Sequence, residues 1–451
     1  YIRATDSFGV SATEPIGAPD KPIEVSISDD PFADWPDLDD PSITLKIVQP
    51  DPLDIAKVRL VGEDKSLFIS APVISGFAEF PTPEPIDERL TEIRLLNQED
   101  QVLGYLPFRY TQSNYDDPIG VDAIIYVHNE EALQPDQGRW SSRWNYYDDF
   151  PEARPLSMLV PPKGNVKNVD LNQQDPVVLV HGVSGRYPSW GDDITKARSL
   201  VDHLSSKGYD GWQFYYPENQ NITKSGPLLA KAIHRLQSNL EYGADQKFDL
   251  VAHSMGGLVT RHYVQTMGIG QVRSSYSQVL DNVPDPDDAI EKLLMLGTPN
   301  HGSLGSFKCT GGNRTSCDAL KDFLDKDPGA PAYVQMTPGS KFLNDLNRSN
   351  EAPEAYSASS TLVVAGTRNP PFDAGVYLSV EIPEQDDGVV AISSASMLDL
   401  GVPLAVGDFT HAGGLDLIGG GDPRLNEDTD EIVTNFLSDA YDPAVPANLG
   451  N

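Results

Sequence analysis

The sequence predicts an α/β fold with a mostly parallel sheet and helices on both faces, preceded by a small all-β, sandwich-like domain. Three observations support this prediction. Short apolar strands alternate with helix-like segments from about residue 138 onward. Five short alternating runs between residues 42 and 110 are separated by proline and glycine, which is typical of antiparallel strands. A length of 451 residues favours two or three domains over one.

The N-terminal third divides into two predicted units. In residues 1–20 the run YIRATDSFGVSA alternates and ends in a turn, which resembles the terminal strand of an immunoglobulin-like or fibronectin-type module, or a linker. Residues 21–137 are predicted to form the sandwich-like domain. They include an acidic, proline-rich segment at residues 29–41. We expect a spacer or adhesion role for this part of the chain more than a catalytic one.

Residues 138–451 are predicted to form one α/β domain. Its strand-like runs lie at 154–162, 176–183, 212–217, 248–252, 292–300 and 360–367, and its helix-like runs at 189–208 and 225–243. Strands that alternate with helices predict a parallel sheet covered on both faces. In open sheets of this kind the functional residues gather at the carboxyl ends of the strands.

Composition excludes several classes of partner. The formal net charge is −34 and acidic residues are spread along the whole chain. Such a surface repels phosphates, so nucleic-acid binding is not expected. No run is long and apolar enough to predict a transmembrane helix. We expect a secreted or cell-surface protein, from a salty or marine setting, whose targeting segment has been removed. The sequence does not predict the oligomeric state.

The two cysteines, Cys309 and Cys317, lie close together in the glycine-rich run CTGGNRTSC. A short stapling disulfide between them is one interpretation, and it suits an oxidising compartment. Two free thiols are the alternative that the sequence leaves open.

The run FDLVAHSMGG, from Phe248 to Gly257, carries the most chemical information. An apolar strand leads directly into Ser254, and the helix-like run LVTRHYVQ follows the two glycines. A serine at the apex of a strand–turn–helix is typical of a nucleophile elbow. Small residues are needed two positions before and after it, and Ala252 and Gly256 occupy those positions.

A serine nucleophile needs a base, and in this arrangement the order along the chain is serine, acid, histidine. His411 follows the strand-like run VPLAVG in a Thr-His-Ala-Gly-Gly loop and is the predicted base. His301 follows the strand directly after the elbow, which is too early in that order. A histidine must be neutral to accept a proton, so we expect activity to fall as the solution is acidified.

Asp387 is the predicted acid that orients the base. It stands in EQDDGVVAI, where a tight turn precedes an apolar run that would fix the carboxylate at the rim of the sheet. Asp386 and Asp373 remain alternatives, while Asp408 is too close to the end of its own strand to reach His411.

Two backbone N–H groups are needed to stabilise the oxyanion of a tetrahedral intermediate. Met255, the residue after the nucleophile, is predicted to supply one. Val183 is predicted to supply the other from the loop His181-Gly182-Val183, where the glycine lets the backbone bend toward the serine. His181 is interpreted as a structural residue that fixes this loop.

Together, LVHGV, AHSMGG, LGTPNHGS, DDGVV and the THAGG histidine resemble the bacterial lipases and carboxylesterases of the α/β-hydrolase superfamily over roughly residues 155–440. The resemblance implies hydrolysis of carboxylic or lipid esters through an acyl-enzyme. It assigns Ser254 as nucleophile, Asp387 as acid, His411 as base, and the N–H groups of Val183 and Met255 as the oxyanion hole. It implies no cofactor.

Two features depart from the resemblance. Many relatives bind a structural calcium ion near the histidine loop, but no matching ligands can be assigned here. The segment 302–359 is longer than in minimal members, and it is either a lid over the cleft or a surface insertion.

Three other functions compete with an esterase or lipase. A polyester depolymerase would use the same residues in a more open cleft. An acyltransferase would discharge the acyl-enzyme to an alcohol. A surface adhesion protein could carry an inactive hydrolase domain, although the complete set of Ser254, Asp387 and His411 argues against this.

Overall fold

The computed structural model describes twenty segments of the chain. They are residues 3–5, 11–13, 42–49, 53–62, 68–81, 90–110, 121–128, 150, 152–162, 175–183, 190, 200–218, 220–239, 242, 246–268, 286–303, 330–348, 360–367, 385–411 and 427–441.

The strands, in chain order, are β1 (Arg3–Thr5), β2 (Ser11–Thr13), β3 (Ser42–Val48), β4 (Lys57–Gly62), β5 (Phe68–Ile74), β6 (Phe77–Pro81), β7 (Leu90–Leu96), β8 (Val102–Tyr110), β9 (Val121–Val127), β10 (Arg154–Val160), β11 (Asp175–Val180), β12 (Tyr209–Tyr215), β13 (Phe248–His253), β14 (Ile290–Leu296), β15 (Thr361–Gly366) and β16 (Leu404–Gly407). The helices are α1 (Leu200–Ser206), α2 (Ile222–Asn239), α3 (Met255–Gly268), α4 (Pro286–Ala289), α5 (Pro331–Gln335), α6 (Lys341–Asn347), α7 (Ile392–Ala395) and α8 (Glu427–Leu437), with a short 3-10 turn at Leu398–Leu400.

Six strands form a parallel sheet in the order β12-β11-β13-β14-β15-β16. Successive residues of β11 point to opposite faces, as they must in a strand. Val178 and Val180 join one apolar core, which includes buried side chains of α2 and α3. Val177 and Leu179 join another, with buried side chains of α1 and α8. The sheet is therefore covered by helices on both faces, as the alternation of strands and helices predicted.

The N-terminal strands differ from the predicted sandwich. Eight strands follow one another as neighbours in the order β10-β8-β7-β4-β5-β6-β3-β9, and β9 pairs back onto β10. The result is a closed ring instead of two separate sheets, and its interior is an apolar core of its own. Sequence spacing predicted β3, β4, β5, β7 and β8 but not β6 or β9, and it does not determine which edges pair.

Strand β10 joins the ring to the parallel sheet. Its residues Leu156–Leu159 pair with β9, and Met158–Val160 pair antiparallel with β12. Leu156 packs in the core of the ring, whereas Leu159 packs in the core beneath α2 and α3. The domain boundary predicted near residue 138 lies outside the described residues. Strand β10 pairs both with the closed ring and with the parallel sheet.

The first twenty residues were expected to hold one terminal strand. The structure instead describes two three-residue strands, β1 and β2, that pair antiparallel with Arg3 opposite Thr13. Among the described residues, no helix combines the length and apolar composition needed to cross a membrane.

Candidate active site

Ser254 lies at the sharp turn between β13 and α3. Its φ is +54°, a left-handed conformation that a non-glycine residue adopts only when its surroundings enforce it. Two backbone hydrogen bonds do so: Ser254 N donates to Leu296 O over 2.9 Å, and Gly257 N donates to Ser254 O over 3.0 Å. The turn presents the serine at the carboxyl end of the sheet.

The glycines after Ser254 allow the close packing of this turn. A Cβ on Gly256 would stand 2.4 Å from the carbonyl oxygen of Val180, and a Cβ on Gly257 would stand 2.0 Å from Thr298 Oγ1. Both distances are far below van der Waals contact, so α3 can start against β11 and the end of β14 only with glycine at these positions.

His411 brings its ring to Ser254 from the far edge of the sheet. Ser254 Oγ lies 2.8 Å from His411 Nε2, a normal hydrogen-bond distance for these atoms. His411 follows β16, which lies three strands away from β13 in the sheet. The two side chains are only 7% and 8% exposed, so the contact is largely shielded from water.

Asp387 completes a continuous chain of hydrogen bonds. Its Oδ2 lies 2.9 Å from His411 Nδ1. Its Oδ1 accepts from the backbone N–H groups of Val389, over 3.1 Å, and Val390, over 2.8 Å. Both carboxylate oxygens therefore have partners, and the side chain is only 1% exposed. A buried carboxylate held by three hydrogen bonds is fixed in position.

The loop after β11 runs beside the serine. A Cβ added to Gly182 would stand 2.6 Å from Ser254 Cβ, so only glycine permits this approach. His181 fixes the loop as predicted: its Nδ1 lies 2.7 Å from Gly182 O, its ring stacks on Tyr216 at 4.4 Å, and the Tyr216 hydroxyl donates to its carbonyl. Val183 is the next residue in the chain, and it lies partly buried against the apolar core that includes side chains of α2 and α3.

Met255 is the first residue of α3. The N–H groups of a first helical turn have no partner within the helix and point away from its N-terminus. They lie where the helix dipole is positive. Met255 directly follows Ser254 in the chain, and Val183 directly follows Gly182, the residue that lies against Ser254.

The structure also locates the alternatives weighed from the sequence. Asp386, next to Asp387, uses its Oδ1 to accept from Gly388 N over 2.6 Å. His301 Nε2 lies 3.8 Å from Asp399 Oδ1, and its Nδ1 lies 3.3 Å from Asn347 Nδ2. Asp408 is exposed. Asp373 lies outside the described residues. Among the candidates that the structure describes, Asp387 and His411 are the two that it brings together with Ser254.

Two residues of the site were missed by the sequence reasoning. Gly297 directly follows β14 and has φ +55°, and a Cβ there would stand 3.0 Å from Asp387 Oδ2 and 3.2 Å from His411 Nδ1. His253 Nε2 lies 2.7 Å from the carbonyl oxygen of His411. A glycine after an apolar strand could have signalled the first contact, but nothing in the sequence signals the second.

Within the segment 302–359, residues 330–348 pack into the apolar core that includes side chains of α2 and α3. Tyr333, Met336, Leu343 and Leu346 are all buried there. The buried guanidinium of Arg261, on α3, donates to Leu346 O and to Asn347 Oδ1. This part of the segment is anchored to the elbow helix. Residues 304–329 and 349–359 of this segment, which include Cys309 and Cys317, lie outside the described residues. The choice between a lid and a surface insertion stays a prediction.

No metal centre is indicated in the part of the chain that the structure describes. Within it, His, Cys, Asp and Glu side chains nowhere form the groups of three or more that would hold a metal ion. The structural calcium that many relatives bind has no ligands assigned in this part of the chain.

A sequence model of the family described as Lipase (class 2) matches residues 174–365. This span includes Ser254 and the loop at Gly182, whereas Asp387 and His411 lie beyond its end. The matched region is similar to class 2 lipases, and the match supports ester hydrolysis at a general level, with a lipid or ester as substrate.

Solved structures of distant lipases resemble parts of the chain. The mature form of Bacillus licheniformis lipase BlEst2 is 19% identical with a TM-score of 0.42, and the match covers 56% of this chain and 90% of that one. Phospholipase PlaB from Legionella pneumophila is 19% identical with a TM-score of 0.38, over 54% and 53%. Staphylococcus hyicus lipase is 14% identical with a TM-score of 0.33, over 59% and 94%. This chain therefore spans about half the length of the Legionella phospholipase.

Proposed function

We propose that the chain is a serine hydrolase of carboxylic esters with an α/β-hydrolase catalytic layer. Ser254 is the nucleophile, His411 the base and Asp387 the residue that orients the base. The observation that carries the proposal is the unbroken hydrogen-bond chain from Ser254 Oγ to His411 Nε2, 2.8 Å, and from His411 Nδ1 to Asp387 Oδ2, 2.9 Å. The order of the parallel strands supports it, because all three residues follow strands at the carboxyl edge of one sheet.

The first half of the reaction forms an acyl-enzyme. Ser254 Oγ attacks the ester carbonyl carbon while His411 Nε2 takes the hydroxyl proton. Asp387 accepts the hydrogen bond of His411 Nδ1 and stabilises the imidazolium that results. The carbonyl oxygen becomes an oxyanion, which the N–H groups of Val183 and Met255 bind. The intermediate collapses when His411 returns the proton to the leaving alcohol oxygen.

The second half releases the acid. A water molecule attacks the acyl carbon as His411 Nε2 takes its proton, and a second oxyanion forms in the same place. Collapse of this intermediate breaks the bond to Ser254 Oγ, which recovers its proton from His411. The carboxylic acid leaves and the enzyme returns to its starting state.

A covalent label tests the assignment of the nucleophile. A fluorophosphonate bearing an alkyl chain should modify Ser254 alone, as mapped by mass spectrometry of the digested protein. Ser254→Ala should lose labelling and lose ester turnover by on the order of 10⁴- to 10⁶-fold. Ser206→Ala, which removes an exposed hydroxyl on α1, should retain both. Labelling at another residue, or turnover that survives in Ser254→Ala, would refute the proposal.

Substrate class needs a separate comparison. Short-chain p-nitrophenyl esters, a long-chain triglyceride emulsion and a suspended polyester distinguish a carboxylesterase, a lipase and a depolymerase by their relative kcat/KM. Ester product formed in the presence of an added alcohol would indicate acyl transfer. If the folded protein hydrolyses none of the three substrates and transfers no acyl group to the alcohol, an inactive hydrolase domain with an adhesion role is favoured.

A further inference from the structure

His253 directly precedes the serine and directs its ring toward His411. It is only 4% exposed, and its Nε2 lies 2.7 Å from the carbonyl oxygen of His411. A carbonyl oxygen can only accept a hydrogen bond, so Nε2 of His253 carries the hydrogen and donates it. The two rings lie 5.1 Å apart between centroids, inclined at 42°.

This contact completes the hydrogen bonding of His411. The backbone N–H of His411 donates to Asp387 O over 2.8 Å, and its carbonyl accepts from His253. The ring nitrogens contact Asp387 Oδ2 and Ser254 Oγ. All four polar groups of the histidine therefore have a partner, and the peptide groups on both sides of its Cα are held in place.

We propose that His253 is a positioning residue, which fixes the backbone of His411 so that its Nε2 stays within reach of Ser254 Oγ. His253 and Ser254 are consecutive residues of one strained turn. One rigid segment thus supplies the nucleophile and anchors the loop that carries the base. Because the side chain acts on a carbonyl oxygen, what it must provide is a hydrogen-bond donor at the position of Nε2.

The inference rests on the proposed function, since it concerns the geometry of the same three residues. Loss of the donor leaves the His411 carbonyl without its buried partner, so the peptide can turn and carry the ring away from Ser254. A displacement of about 1 Å in a reacting group costs on the order of 10²-fold in rate. His253 is only 4% exposed and is bonded to His411, so we expect the effect to fall on kcat and on the reactivity of the serine.

Two variants at one position test this role. In His253→Leu the donor is absent, and we expect kcat to fall about 10- to 100-fold while KM stays within about twofold of wild type. In His253→Gln the side-chain amide nitrogen stands the same number of bonds from Cβ as Nε2. It should restore most of the lost kcat, to within about fivefold of wild type. The rate of phosphonate labelling of Ser254 should follow kcat in both variants.

A second readout separates positioning from a general structural role. The His411 Nδ1–H proton, held by Asp387, should give a far-downfield resonance in the proton NMR spectrum of wild type. We expect this signal to broaden or vanish in His253→Leu and to return in His253→Gln. His262→Leu is the matched control, because His262 is another buried histidine, on α3, whose pKa burial lowers to about 4. It should change the melting temperature but leave the resonance in place.

Wild-type kcat and labelling rate in folded His253→Leu would overturn the inference. So would a folded His253→Gln variant as slow as the leucine variant. If His253→Leu does not fold, a folded His253→Gln variant whose kcat lies more than about fivefold below wild type overturns the inference. Failure of the proposed function would look different, because Ser254→Ala would then retain turnover in the wild-type background.

Discussion

Asp387 contacts His411 through two of its own groups, the backbone carbonyl oxygen and the side-chain carboxylate. Asp387 O accepts from His411 N over 2.8 Å, and Asp387 Oδ2 lies 2.9 Å from His411 Nδ1. The first bond fixes where the loop after β16 returns, and the second fixes how the ring is turned. Substitution of the side chain alone should therefore leave the loop in place and change only the chemistry of the ring.

Asp387→Asn is expected to keep the fold and lower kcat by on the order of 10⁴-fold. An amide in place of the carboxylate favours the wrong tautomer of the ring and removes the charge that stabilises the imidazolium. Ester turnover together with near-ultraviolet circular dichroism measures both effects. Asp386→Asn is the matched control: its Oδ1 acceptor toward Gly388 N is preserved, so it should lose far less activity. Equal losses in the two variants would contradict the assignment of Asp387 and reopen the choice between the two aspartates.

The sequence predicted the parts of the site that depend on local order along the chain. Ser254 was evident from an apolar strand, a small-residue turn and a helix in immediate succession, which only a few folds use. His411 and Asp387 followed from the order of elements, because the strands that precede them are parallel and end at the same edge. Their distances to Ser254 could not be predicted, since they depend on how the sheet twists across three neighbouring strands.

The N-terminal region shows where sequence reasoning stops. Alternation identified five of these strands, β3, β4, β5, β7 and β8, because side chains on successive positions of a strand point to opposite faces. It did not identify β6 or β9. Which strand pairs with which is a non-local choice. The ring closes only because β10 pairs with both β8 and β9, and residues far apart in the chain settle that contact. The same limit hid the bond between His253 and His411, which are 158 residues apart.

Gly297→Ala should lower kcat strongly while it lowers the free energy of unfolding only moderately. An alanine at φ +55° is strained, and its Cβ would stand 3.0 Å from Asp387 Oδ2 and 3.2 Å from His411 Nδ1. We expect a stability loss of about 1 to 2 kcal/mol and a fall in kcat of on the order of 10²-fold. Gly339→Ala is the matched control, since Gly339 has φ +76° with nothing within 4 Å of its Cβ position. A kcat loss of equal size in both variants would show that backbone strain alone is responsible.

Gly182→Ala tests the loop that is proposed to supply one oxyanion donor. The new Cβ would stand 2.6 Å from Ser254 Cβ and 2.9 Å from His253 O, so the loop must move away and take the Val183 N–H with it. Loss of one such donor costs on the order of 10²- to 10³-fold in kcat, with little change expected in KM. Gly211→Ala is the control at a buried strand glycine, where the nearest atom would be 3.5 Å away. Wild-type turnover in Gly182→Ala would show that this loop does not take part in catalysis.

Asp249 should make stability depend on pH at the opposite end of β13 from Ser254. Burial is the main cause that raises its pKa to about 7, opposed by the charge of Lys292 and assisted by Glu291 and Asp175. The folded protein therefore binds a proton that the unfolded chain, with a carboxyl pKa of about 4, releases. The resulting stabilisation is fully present below about pH 4 and is lost as the pH rises through about 7.

Asp249→Asn removes this dependence, so the free energy of unfolding of the variant relative to wild type should rise by roughly 3 kcal/mol across that range. Urea unfolding at a series of pH values measures the difference. Asp288→Asn, which removes an exposed carboxylate on α4, is the control. Its free energy of unfolding relative to wild type should be nearly independent of pH. If the value for Asp249→Asn is also independent of pH, the prediction is refuted.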